Sequence, residues 1–184
     1  MVSEMMKKIC RVLYNTVRFL GHRDYRNLLA VESSVHIDVA KRATLRIGRK
    51  FRARRGVEIN VRDCAKVTIG NDVFLNSGCI LTARERIAIG NNTIFGPNVM
   101  VFDNDHRIED GKVLDNQFQT QAVEIGSNVW IGAGAIILKG SVIEDNCVIA
   151  AGSIVKGHVE TGMIFMQKRQ EIMIPAGDLR GPQE

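Results

Sequence analysis

Aromatic residues are scarce, at 5% of 184 residues with a single tryptophan, and only three prolines occur. A core with so few rings must be assembled from Val, Ile, Leu and Ala, which argues against an aromatic-rich β-sandwich. Long apolar runs are missing too. No window approaches the roughly 18 residues that a membrane-spanning helix needs, and Arg11, Asn15 and Arg18 interrupt Ile9 to Leu20, so the start does not read as a secretory signal. The four cysteines (Cys10, Cys64, Cys79 and Cys147) form no CxxC pair. Reduced thiols in a cytoplasmic protein are the simplest reading. What is present is 45% hydrophobic and 24% charged residue with 17 glycines. That is a folded chain, of a length that fits one domain, built from something repetitive.

The net charge of +5 is unevenly spread. Residues 1–30 hold six basic and two acidic groups, and residues 41–55 hold eight basic groups and no acid. The rest is mildly acidic. Met6, Ile9, Leu13, Val17 and Leu20 have helical spacing, with Lys7, Lys8, Arg11 and Arg18 on other faces. This helix is expected to pack across the first part of the fold; contact of its basic side with an anionic membrane surface is the sharper alternative. The Arg-rich stretch is read as a solvated or intersubunit face.

Aliphatic residues then recur at every sixth position: Ile125, Ile131, Ile137, Ile143, Ile149 and Val155, with small or β-branched residues at the fifth place of each block (Val129, Ala135, Ser141, Cys147, Ser153 and Val159). Neither an α-helix nor an alternating strand has that period. The same frame is visible upstream, and a signature of aliphatic-x-aliphatic-Gly restarts it at Leu45, Val67, Ile87 and Val123. A coil of three short flat strands closing a triangular prism accounts for it. One aliphatic side chain per face points inward and several coils stack to shield one core. Ordinary alternating strands in a sandwich do not keep six blocks in frame.

This ladder, with Asn128-Val-Trp-Ile-Gly132 and Ile149-Ala-Ala-Gly-Ser153, resembles the hexapeptide-repeat acyltransferases, and within them the galactoside, maltose and capsular-sugar O-acetyltransferase branch. The resemblance implies an all-β fold, a left-handed parallel β-helix, and the handedness rests on it alone. The expected organisation is a helical segment at 1–30, the β-helix at 31–160 with an inserted loop at 103–122, and a C-terminal cap and tail at 161–184. The cap is expected to fold back as a hairpin. The inserted loop is polar, with an Asp110-Gly111 turn and Phe118 as its large apolar anchor.

His106 lies where the frame breaks, and the resemblance places it on the family's catalytic histidine. Imidazole, with an ordinary pKa near 6.5, suits removal of a proton from an attacking hydroxyl. Asn76 is expected to help stabilise the oxyanion, with Asp103 or Asp105 holding the other imidazole nitrogen. No Ser or Cys has a credible base, so direct transfer is expected. By the same resemblance acetyl-coenzyme A is the acyl donor, met by Trp130, Ala133, Ala151, Ser153 and Lys156, with Lys168 or Arg169 on its 3′-phosphate. A homotrimer with the site between subunits, and a sugar acceptor in surface or capsular polysaccharide synthesis, are also implied. Neither a metal nor a nucleic-acid partner is expected. Transfer to an amino sugar and a non-enzymatic scaffold are the alternatives. The metal-dependent relative with this fold, γ-type carbonic anhydrase, needs three histidines, and only His106 is suitably placed.

Overall fold

A computed structural model describes residues 31–168, together with the isolated exposed positions Met6 and Cys10. The rest of the expected 1–30 helical segment, Arg169 and the tail beyond it lie outside the described residues. Among the described residues no helix is long and apolar enough to cross a membrane.

The chain winds as a three-sided parallel β-helix, the fold class expected from the six-residue period. The first face consists of β1 (His36–Val39), β4 (Glu58–Val61), β7 (Ile80–Ala83), β10 (Met100–Phe102), β15 (Ile136–Ile137) and β18 (Ile154–Val155). The second holds β2 (Thr44–Ile47), β5 (Lys66–Ile69), β8 (Arg86–Ile89), β13 (Val123–Ile125), β16 (Val142–Ile143) and β19 (His158–Val159). The third holds β3 (Arg52–Ala53), β6 (Phe74–Leu75), β9 (Ile94–Phe95), β14 (Trp130–Ile131), β17 (Val148–Ile149) and β20 (Ile164–Phe165). Each strand pairs in parallel with the one a coil away, in register, as with Ile59↔Leu81 and Ile131↔Ile149.

Register puts like on like. Leu75, Phe95, Ile131 and Ile149 stack inside the third face, and Ile59, Leu81, Val101 and Ile137 inside the first, all fully buried. The six fifth-place residues are all buried, and Val159 stacks on Ile143 inside the second face. At roughly 1.5–3 kcal/mol per buried aliphatic side chain, the prism is stable only as a stack.

The Gly of the restart signature has a steric reason. A Cβ on Gly48 would lie 2.5 Å from the backbone of Gly70 in the next coil, and one on Gly90 2.5 Å from Gly126. Beside these glycines, polar side chains splice successive coils. Asn71 Oδ1 accepts from Arg49 N–H (2.9 Å), Asn91 Oδ1 from Asn71 N–H (2.8 Å) and Ser127 Oγ from Asn91 N–H (3.1 Å). The next position takes positive φ in each coil, at Lys50, Asp72, Asn92, Asn128 and Asn146. Asn and Asp accept that conformation more readily than most residues.

Two expectations are corrected. The inserted segment is an antiparallel hairpin of β11 (Asn104–Glu109) and β12 (Lys112–Thr120), not an irregular loop. Its Asp110-Gly111 turn has positive φ at both residues, which matches the twist of two paired strands. The parallel ladder also runs past 160. Ile164 and Phe165 pair with Val148 and Ile149, so residues 161–168 continue the ladder, and the rest of the expected cap hairpin lies outside the described residues.

Candidate active site

The hairpin leaves the prism at the edge between its first and second faces, and His106 lies near its base on β11. His106 is paired with Phe118, and the register slips immediately after it, leaving Asp115, Asn116 and Gln117 opposite no partner. Such a bulge re-aims the neighbouring side chain. The exposed imidazole packs on the Phe118 ring (centroids 4.6 Å apart), and its Nδ1 lies 3.4 Å from the Leu114 carbonyl oxygen. A carbonyl only accepts, so in the neutral ring this contact favours the tautomer with Nδ1–H and leaves the lone pair on Nε2.

Neither Asp103 nor Asp105 holds that ring, which corrects the expectation. Asp103 is fully buried. Its carboxylate accepts from Arg84 N–H (2.8 Å), Glu85 N–H (2.7 Å) and Asn104 Nδ2 (3.1 Å). Elsewhere on this edge the next coil supplies a carbonyl for such donors, as Ala83 O does for Arg62 N–H at 2.9 Å. Where the hairpin diverts the chain, Asp103 supplies the acceptor. Asp105 instead pairs with Lys139 at 3.0 Å, and Lys139 also donates to Gln119 (3.3 Å), pinning both hairpin strands to the prism.

Phe118 carries a second contact that sequence reasoning missed. The Arg84 guanidinium lies over its ring, 3.3 Å from the centroid, so Arg84 and His106 both contact Phe118. Burial pulls the Arg84 pKa below the usual arginine value, and the neighbouring Arg62 adds to that shift. Nothing in the period marks Arg84, because its partners come from an adjacent coil and from the hairpin.

The residues expected to hold coenzyme A lie elsewhere on the prism. Trp130 projects from the third face and is 56% exposed. Ala133 and Ala151 are exposed at the edge between the third and first faces, and a Cβ on Gly132 would lie 2.5 Å from Ala151 N, so the two coils are in tight contact there. Asn76 lies on the same edge, half-buried, its Oδ1 accepting from Ser77 N–H (2.9 Å). Lys156 and Lys168 are exposed. Ser153 faces the interior at 3% exposure, which removes its side chain from ligand contact.

In one chain, then, the third face lies across the prism from the edge that carries His106, and these residues do not converge. A hollow of about 510 Å³ on the second face, lined by Ala88, Glu124, Val142 and Glu144, contains none of them.

The two buried thiols are held by backbone carbonyls. Cys79 donates to Gly96 O (3.2 Å), and burial pushes its pKa up to about 11. Cys147 is buried and donates to Glu160 O (3.1 Å). Among the described residues, no group of three or more His, Cys, Asp or Glu is arranged to hold a metal ion.

Residues 122–157 match the family model described as bacterial transferase hexapeptide (six repeats). The chain is 33% identical over 98 residues to the galactoside O-acetyltransferase of Lactococcus lactis, which covers 53% of this chain and 47% of that one. Against a protein of Escherichia coli K12 named for lipopolysaccharide biosynthesis O-acetyl transfer it is 23% identical over 150 residues, 77% of this chain and 76% of that one. The chain spans about half the length of the galactoside acetyltransferases it matches. Among solved structures, an N-acyltransferase from Bacillus cereus, crystallised with dTDP-4-amino-4,6-dideoxyglucose and coenzyme A, superposes with a TM-score of 0.64 at 20% identity, covering 73% of each chain. That likeness is one of fold. In its repeat, its family-model match and these relatives the chain is similar to the hexapeptide-repeat acyltransferases.

Proposed function

We propose that this hexapeptide-repeat chain is an acetyl-coenzyme A-dependent O-acetyltransferase acting on a sugar hydroxyl, with the reaction placed between neighbouring copies in a homotrimer. One observation carries the reading. His106 and Trp130 occupy opposite sides of a single prism, so a reaction that uses both needs the His106 edge of one copy to face the third face of the next. The outward ladders of the faces flanking the third–first edge support such packing. Ile80, Met100, Ile136 and Ile154 run up the first face and Phe74, Ile94, Trp130, Val148 and Ile164 up the third, whereas the second shows Arg46, Glu124 and His158 among its outward residues. A continuous apolar surface of this kind marks an interaction site.

In this arrangement Nε2 of His106 accepts the proton of the sugar hydroxyl as its oxygen attacks the thioester carbonyl. The carbonyl π electrons move to oxygen, where backbone N–H groups and the Asn76 amide nitrogen stabilise the charge. Collapse expels the coenzyme A thiolate, which takes the proton from His106, giving the acetyl ester and the free thiol. Trp130 covers the acyl and pantetheine arm, the small Ala133 and Ala151 leave room for it, Lys156 adds a contact to the coenzyme, and Lys168 or Arg169 meets the 3′-phosphate. The O-acetyltransferases among the relatives, one of them named for lipopolysaccharide synthesis, support a surface-polysaccharide acceptor.

The test is thiol release from acetyl-coenzyme A with methyl glucosides and glucosamine as acceptors. His106→Ala should lower kcat by about 10²–10⁴ while leaving coenzyme A affinity nearly unchanged. An unchanged rate removes His106 from the reaction. Turnover confined to the amine of glucosamine replaces O-transfer with N-transfer, and no turnover or cofactor binding leaves a scaffold.

A further inference from the structure

We infer that Arg84 is an anion anchor for the acceptor, so that the sugar acetylated carries a carboxylate or phosphate close to the reacting hydroxyl; this rests on the transfer reaction proposed above. The cations around Arg84 each have a partner. Arg62 pairs with Asp38 (2.8 Å), Lys139 with Asp105 (3.0 Å), Arg86 with Glu124, and Arg107 with Glu109 (3.5 Å). Arg84 has no such partner among the described residues, and its Nε is buried without a hydrogen bond. The nearest acid, Asp103, is spent on the backbone N–H groups of Arg84 and Glu85 and on Asn104.

A desolvated cation is costly unless something compensates it. The Phe118 ring compensates one side of the guanidinium, at 3.3 Å. A buried donor left without an acceptor calls for a physical reason. Two functions of the site coincide here. The ring that holds Arg84 is the ring on which His106 packs, so a fork of N–H donors and the general base share one aromatic neighbour. A planar fork matches two oxygens of a carboxylate or phosphate, and such a charge-assisted bidentate pair is stronger than a neutral hydrogen bond. Neither Arg62 nor Lys139 competes for the ligand, since each is already neutralised.

The experiment uses the full chain and compares kcat/KM for methyl β-glucoside, methyl β-glucuronide and glucose 1-phosphate. The anchor predicts that at least one anionic acceptor is favoured by about ten- to hundredfold, mainly through KM, as expected for a hydrogen-bonded charge pair. Which of the two is favoured distinguishes a carboxylate from a phosphate source. Arg84→Gln should bring the ratio close to one, and Arg84→Lys, which keeps the charge and the stem but not the fork, should give an intermediate ratio. A preference for the neutral glucoside, or a ratio that persists in Arg84→Gln, overturns the assignment. Thermal shifts with glucuronate and inorganic phosphate at fixed ionic strength provide a readout free of turnover. A shift in the wild type that Arg84→Lys retains in part and Arg84→Gln loses, without catalysis, sinks the transfer reaction and keeps the anion site. No shift with either anion, in a protein that still acetylates neutral sugars, does the reverse.

Discussion

Removing the Asp103 carboxylate should cost stability first and catalysis only through it. Asp103→Ala strips the acceptor from the Arg84 and Glu85 N–H groups, bonded at 2.8 and 2.7 Å, in a place with no exposure. An unsatisfied buried donor costs about 1–3 kcal/mol. Two of them, partly relieved by water entering the gap, bring the loss to about 2–4 kcal/mol. Asp103→Asn keeps one acceptor oxygen but turns its NH₂ toward a cluster of donors, so it should fall between the alanine variant and the wild type. Urea unfolding at two protein concentrations measures this, because a folded trimer makes the midpoint depend on concentration. The expected result is a lower midpoint at unchanged slope, since the surface exposed on unfolding is the same. If Asp103 instead oriented the imidazole, Asp103→Ala would be within about 0.5 kcal/mol of wild type and lose turnover by orders of magnitude. That outcome would refute the reasoning.

Of the four thiols, Cys10 and Cys64 are exposed and Cys79 and Cys147 buried. A disulfide reagent at pH 8 should therefore label two quickly and all four only in denaturant; rapid labelling of Cys79 would contradict its burial. Because the folded pKa of Cys79 is raised to about 11, the stability tied to its neutral thiol is complete below the ordinary value near 8.5 and is lost as pH climbs toward 11. Cys79→Ser, with a hydroxyl that does not titrate in that range, should flatten this alkaline limb in a pH series of unfolding midpoints. At the acid end, the hydrogen bond from His158 (2.8 Å), with that of the Thr161 N–H (2.9 Å), holds the Glu144 carboxyl below the usual range. That stability is present above the ordinary carboxyl value and falls away as pH drops through the lowered one, so Glu144→Gln should be less sensitive below about pH 4.3. Equal acid sensitivity would show the pair to be immaterial. Gly132→Ala forces a Cβ to 2.5 Å from Ala151 N, whereas Gly134, at φ +67, has open space. The first should lose more stability than the second, which costs about 1–2 kcal/mol for its backbone conformation alone; the reverse order in urea would contradict the packing at that edge.

The prism was legible because its cause is one-dimensional: an inward residue is needed once per face, and Ile125 through Val155 meet that need without a slip. The hairpin was half legible. Asp110-Gly111 announced its turn, but β11 and β12 are largely exposed and so lack the apolar alternation that marks a half-buried strand. His106 could be singled out by where the frame breaks. The duties of Asp103 and Asp105 could not, because Asp103 answers donors 18 and 19 residues earlier in the chain and Asp105 answers Lys139 on a later coil. Arg84 was invisible for the same reason. Ser153 was named as a coenzyme contact, yet its fifth-place position already turned its side chain inward.

Subunit complementation tests the shared site most directly. His106→Ala and Trp130→Ala proteins are each expected to be impaired; unfolded together in equal amounts and refolded, they should form mixed trimers. A site that takes its histidine from one copy and its tryptophan from the next should recover about a quarter of wild-type turnover, the share of interfaces left with neither substitution. Turnover no higher than the mean of the two separate variants, with mixed trimers present, would place both residues in one chain's site and contradict the account.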